Sequence, residues 1–169
     1  KEICSHMDWD LGNAFRVDPA GDVVVACDTW YAMDKDKLFS FVDRSRHAVF
    51  ARGTGLPGRV LRDAHPHWID DFAQDTWFLR HDEATKCGFV SACAFPIMLA
   101  DEMVGVIEFF SRKPMVDKDA ILLTLSQAVT QLARVVERER ASAALLHDAL
   151  HDAMTGLPNR VLLDERSRL

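Results

Sequence analysis

The stretch Phe89-Val-Ser-Ala-Cys-Ala-Phe-Pro-Ile-Met-Leu99, followed across Ala100-Asp101-Glu102 by Met103-Val-Gly-Val-Ile-Glu-Phe-Phe110, decides the fold. Two apolar runs of strand length joined by a short polar connection read as two strands. Upstream, Asn13 to Val17 reads as a short strand and Val23 to Trp30 as another. Between them Asp18-Pro-Ala-Gly-Asp22 supplies turn chemistry: Pro19 fixes φ and Gly21 permits positive φ. Two strands around such a turn make a hairpin.

Between the two strand pairs the pattern alternates. Lys37 to Arg46 sets Leu38, Phe39, Phe41 and Val42 among charges, as an amphipathic helix does. His47 to Ala51 reads as a strand, Gly53 to Gly58 as a glycine-rich loop, and Pro57 as the opening of a helix carrying Val60 and Leu61. His67-Trp68-Ile69 is a short extended piece ending at Asp70-Asp71, and residues 72–88 read as loop and helix. Residues 1–12 read as a helix with Ile3, Met7 and Leu11 on one face. Helix, strands, helices, strands in that order give an α+β domain around an antiparallel sheet.

From Asp117 the period changes. Leu122, Leu125, Val129, Leu132, Val136, Ala143, Leu146 and Leu150 recur at steps of three and four, and no Gly or Pro interrupts residues 116–155. A helix of about 33 residues would be ~50 Å long. Its first half is expected to pack on the sheet. Its second half, flanked by Glu137-Arg138-Glu139-Arg140, is expected to pair with a partner chain as a parallel homodimer.

Composition narrows the function classes. Of 169 residues 49% are hydrophobic and 27% charged, the balance of a soluble globular chain. The formal net charge is −6 with both signs mixed, which argues against a nucleic-acid or anionic-membrane surface. No apolar run approaches the roughly 18 residues of a bilayer span. The start Lys1-Glu-Ile-Cys4 has no apolar signal core and no initiator Met, so the chain is expected to be cytoplasmic and cut from something longer. Cys4, Cys27, Cys87 and Cys93 form no C-x-x-C pair and are expected as free thiols.

Two stretches carry a family resemblance. Asp152-Ala-Met-Thr155-Gly156-Leu157-Pro158-Asn159-Arg160 resembles the opening signature of GGDEF domains, D-x-L-T-G-L-P-N-R, departing only at Met154. The physical content is a helix stop, since Gly156 and Pro158 break the long helix. The resemblance implies a diguanylate cyclase making cyclic di-GMP. It equally implies that the metal-binding acids and the Gly-Gly-Asp-Glu-Phe turn lie beyond Leu169, so catalysis is not expected here.

The second resemblance spans roughly residues 10–135. Gly53-Thr-Gly55-Leu-Pro-Gly58-Arg-Val60, Trp68-Ile-Asp-Asp71, Ala94-Phe95-Pro96-Ile97 and Gly105-Val-Ile-Glu108-Phe109-Phe110 resemble GAF domains of bacterial signalling proteins. That resemblance implies a sheet of about six antiparallel strands with flanking helices and a small-molecule pocket. The implied domains are a GAF sensor over 1–136, a signalling and dimerisation helix over 117–150, and the start of a truncated GGDEF domain over 151–169.

Three decoys fall to simpler readings. Gly53-Thr-Gly55-Leu-Pro-Gly58 fits G-x-G-x-x-G, but a dinucleotide site needs a βαβ unit in a parallel sheet. His147-Asp148-Ala-Leu-His151 has the spacing of a zinc-protease helix but lacks a third ligand and the Glu base. Cys87, which in related photoreceptors would attach a bilin, is followed by Gly88 rather than His, and a small buried residue is the better reading. Haem through His81 or His47 has only a lone His to support it.

An aromatic concentration remains: Trp30, Phe50, Trp68, Phe72, Trp77, Phe78, Phe89 and Phe95. Taken singly each is a core filler before it is a ligand contact. The expected pocket is lined by Trp30, Phe50, Trp68, Trp77, Phe78 and Phe95, with Arg80 or His81 as polar contact. The ligand, if the site exists, is an unidentified small molecule, and no cofactor or metal is called for. The rival expectation is a collapsed pocket in a module that only dimerises or docks a protein.

Overall fold

The computed structural model describes residues 2–75 and 77–150. Its elements are α1 (Glu2–Met7), β1 (Leu11–Val17), β2 (Val23–Ala32), α2 (Lys35–Arg46), β3 (Val49–Ala51), α3 (Gly55–Asp63), β4 (His67–Ile69), α4 (His81–Lys86), β5 (Ser91–Leu99), β6 (Glu102–Ser111) and α5 (Lys118–Leu150), with a short 3-10 turn at Phe72–Gln74. Six strands form one sheet in the order β3-β2-β1-β6-β5-β4, and every neighbouring pair is antiparallel.

Local chemistry explains the two hairpins. Between β1 and β2 the Asp18 carboxylate accepts the backbone N–H groups of Ala20, Asp22 and Val23 at 2.8–3.1 Å, and Gly21 takes a φ of 77°. Between β5 and β6 the chain reverses at Ala100, whose φ is 50°. The strands themselves alternate, so residues 92, 94, 106 and 110 share one face with Leu11 and Phe15.

That face carries the main core. Leu38 and Phe41 of α2, Leu56, Val60 and Leu61 of α3, Ala84 of α4, and Phe72, Phe78 and Phe89 cluster over Phe15, Val24, Val106 and Phe110. Phe110 is the hub, with ring centroids 4.9 Å from Phe41 and 5.1 Å from Phe89. The opposite face holds Cys93 and Phe109, with Trp9 set 4.8 Å from Phe109. There Lys118 opens α5 over Trp68, and Ile121, Leu125 and Val129 are buried.

Four sequence readings are corrected. Leu11 does not extend the first helix: Asp8 adopts a φ of 55°, the helix ends at Met7, and Leu11 is fully buried in β1. The strand after α2 begins at Val49, not His47, which caps α2 instead. β2 runs on past Trp30 to Ala32. The glycine-rich segment is a loop only to Thr54, because α3 starts at Gly55 and carries Pro57 and Gly58 in its first turn. Residues Lys1–Gln131 form one compact unit, and a second begins at Leu132. Among the described residues no helix is long and apolar enough to cross a membrane.

Candidate functional site

In the middle of the main core, where apolar side chains are expected, four polar ones meet. Glu108 follows the β6 alternation of Val106 and Phe110 and so points into the core, fully buried. Arg80, just before α4, reaches it: one terminal guanidinium nitrogen donates to both carboxylate oxygens at 2.7 and 2.9 Å. The other donates to the Ser45 hydroxyl of α2 at 2.9 Å. Asn13 of β1 lies directly across the ladder from Glu108.

The rings around Arg80 complete the enclosure. Its guanidinium carbon lies 5.0 Å from the ring centres of Phe41, Phe50 and Phe78, and 5.6 Å from that of Phe110. The guanidinium thus exchanges water for π faces on several sides. Burial pushes the Glu108 carboxyl above its usual range, while Arg80 and then Asn13 pull it back down. Asn13 helps hold that charge through its side chain, and its amide oxygen is buried without a partner. Arg80 Nε is likewise buried without a partner.

This is an expensive way to fill a core. A buried ion pair rarely outperforms apolar residues of the same volume, and each orphaned polar atom costs about 1–3 kcal/mol. Asn13 leaves a buried acceptor unused beside the Glu108 carboxylate.

The eight residues expected to line a pocket do not share one lining. Phe50, Phe78 and Arg80 belong to the enclosure just described. Trp68 and Phe95 pack edge to face 5.5 Å apart. They sit on the opposite side of the sheet, because Trp68 alternates with the core residue Ile69, and Phe95 with Ala94. Trp77 lies on the rim beneath Arg59, whose guanidinium carbon stands 3.4 Å from its ring centre. His81 is turned away, with Nε2 bonded to the Phe72 carbonyl at 2.8 Å.

Trp30 opens a second feature. Together with Asp28, Ala32, Lys35, Phe39, Val42 and Arg46 it lines a groove of about 270 Å³ between β2 and α2. Its indole N–H is buried and without a partner. Glu108, Asn13 and Ser45 were absent from the sequence-based site. The signal for two of them was a polar residue on the inward parity of an apolar strand.

The remaining expectations divide. Cys87 is buried. β3 and β4, which flank Gly53–Gly58, lie at opposite edges of the sheet, so no βαβ unit surrounds that loop. Of the helix residues, Leu125 and Val129 are buried within the chain. The side chains of Leu132, Val136, Ala143, Leu146, His147 and Leu150, and the whole of His151 and of the segment Asp152, Thr155, Gly156, Leu157, Pro158, Asn159 and Arg160, lie outside what the structure describes. Among the described residues, one trio of metal-ligand types converges, Asp63 with His65 and His67.

Residues 1–137 match the family model of the GAF domain. None of the curated proteins matches the sequence. Among solved structures, the GAF domain of an Acinetobacter phosphoenolpyruvate-protein phosphotransferase is 15% identical with a TM-score of 0.65, covering 85% of this chain and 80% of that one. The GAF domain region of a putative membrane protein from Geobacter sulfurreducens PCA is 19% identical with a TM-score of 0.64, covering 80% and 86%. A free methionine-R-sulfoxide reductase from Neisseria meningitidis, in complex with its substrate, is 14% identical with a TM-score of 0.58, covering 82% and 74%. At these identities the likeness establishes the fold.

Proposed function

The chain belongs to the GAF family, and on that premise we propose that it is the small-molecule-sensing regulatory module of a diguanylate cyclase. The observation that carries the sensing reading is Asn13, whose amide oxygen is buried without a partner in the core beside the Arg80–Glu108 pair. A bound molecule that satisfies the amide removes the desolvation penalty. It binds the arrangement of α2, α4 and the sheet that closes around it, and so shifts the balance between arrangements by its differential affinity.

The pathway rests on Asp152 to Arg160 and its resemblance to the GGDEF opening. In this proposal residues 1–136 sense, α5 relays across a homodimer over 117–150, and 151–169 begin the output domain. Two GGDEF domains each hold one GTP and must face one another, so a change in helix crossing regulates synthesis. The module itself catalyses nothing, and its setting is cytoplasmic. The sensing half is tested by native mass spectrometry of the purified chain. A bound small molecule, lost in Asn13→Val, supports it; apoprotein that takes up nothing from a metabolite mixture contradicts it. The pathway half is tested separately, by assaying the gene's full-length product for conversion of GTP to cyclic di-GMP.

A second reading has one observation in its favour. Phe41, Phe50, Phe78 and Phe110 already surround Arg80, so the enclosure is well filled. On that reading the module dimerises or docks a protein partner, and the mass-spectrometric result separates the two.

A further inference from the structure

At the edge of the sheet, away from the buried ion pair, the end of α3 and the start of β4 bring three metal-ligating side chains together. Asp63 is the last residue of α3. Ala64 then takes a φ of 56°, a left-handed conformation that ends the helix and turns the chain back. His65 in the bend that follows and His67 at the start of β4 come back beside Asp63. One ligand atom from each of the three lies within 4.8 Å of the other two.

His67 Nε2 is 2.8 Å from Asp63 Oδ2. That contact by itself is an ordinary hydrogen bond, and it needs no second imidazole. Yet the His65 ring stacks on His67, centroids 4.7 Å apart and planes at 23°. His65 Nδ1 sits 3.1 Å from the Pro66 carbonyl, so an Nδ1–H donated there leaves Nε2 as the lone-pair nitrogen. Arg62 grips both Asp63 oxygens at 2.7 and 2.8 Å and fixes the carboxylate plane. Such outer contacts are what orient the ligands of a metal centre.

From these contacts the geometry points to a binding site for a borderline divalent ion of the zinc class, held by Asp63, His65 and His67. Two imidazoles and one carboxylate form the three-ligand set that suits zinc with a fourth, open position. Bond lengths of about 2.0–2.2 Å at tetrahedral angles need ligand atoms about 3.4 Å apart. The Asp63–His67 pair is already inside that distance, and the exposed His65 closes the rest by side-chain rotation. The neighbouring cations Arg59 and Arg62 oppose a further positive charge and so weaken the affinity. The ion fastens α3 to β4, where Trp68, with Asp70 just after the strand, holds Lys118 at the start of α5.

The test uses the full chain with His147 and His151 replaced by Ala, so that this other histidine pair does not bind. The protein is stripped with EDTA and titrated with Zn²⁺ against a chromophoric chelator, then with Co²⁺ by visible absorption. One equivalent of Zn²⁺ is expected, with the intense d–d bands of low-coordinate Co²⁺. His65→Ala, at an exposed position that leaves the circular dichroism unchanged, weakens binding at least about tenfold, and His67→Gln does likewise. No bound zinc, or affinity unchanged in His65→Ala, overturns the proposal.

Discussion

Arg80 and Glu108 lie in a core where either one alone is costly. Arg80→Ala leaves a fully buried carboxylate without its partner, and urea denaturation is expected to show a loss of about 3–5 kcal/mol. The double change Arg80→Met with Glu108→Met removes both charges and is expected to recover all but about 1–2 kcal/mol. Recovery of stability with loss of ligand uptake would mark the pair as functional rather than structural. The buried thiols make a separate prediction. Burial pushes Cys4 from its ordinary 9.0 up to about 11 and Cys93 well above 9.0. The folded state keeps the Cys4 proton through the window from 9.0 to about 11, where the unfolded chain has lost it. Stability is therefore full below 9.0 and falls as pH rises through that window. Melting temperatures should show this alkaline decline, and Cys4→Ala with Cys93→Ala should flatten it. The sequence offers Arg80 or His81 as a polar group among the aromatics, and the fold sets Arg80 against Glu108. Glu108 and Asn13 were not legible there, because their chemistry depends on strand parity and on a register between β1 and β6 that only the fold supplies.

At the scale of elements, β5 and β6 were legible as apolar runs of strand length, because both of their faces are buried. The glycine-rich segment was not. Glycine disfavours helix, so Gly55 to Gly58 read as loop, yet α3 begins there for reasons of packing. A Cβ on Gly58 would stand 2.1 Å from the Ala51 carbonyl oxygen of β3. Helix propensity alone favours Ala over Gly by about 1 kcal/mol. The backbone contact reverses the sign, and Gly58→Ala is expected to destabilise by about 1–3 kcal/mol in chemical denaturation. A stabilised variant would mean that α3 sits further from β3 than described. The first helix was overextended for a converse reason: Ile3, Met7 and Leu11 fit a helical stripe, but the left-handed turn at Asp8 redirects Leu11 into the sheet.

For the whole molecule, the family and the antiparallel sheet were readable. The sheet divides the aromatic concentration, with Trp68 and Phe95 on the face away from Arg80. Burial of Leu125 and Val129 within the chain assigns the first half of α5 to the domain itself. The later apolar positions therefore carry the proposed dimer. Sedimentation equilibrium should give twice the 19.1 kDa chain mass, and Leu146→Asp should return it to the monomer. The central claim, that the domain closes on a small polar molecule at Asn13, is tested most directly by a thermal-shift screen of wild type and Asn13→Val against small polar metabolites. The account predicts a compound that raises the wild-type melting temperature by several degrees in a concentration-dependent way and leaves Asn13→Val unmoved. A wild type that no compound stabilises, or a stabilisation that Asn13→Val shares in full, would contradict it.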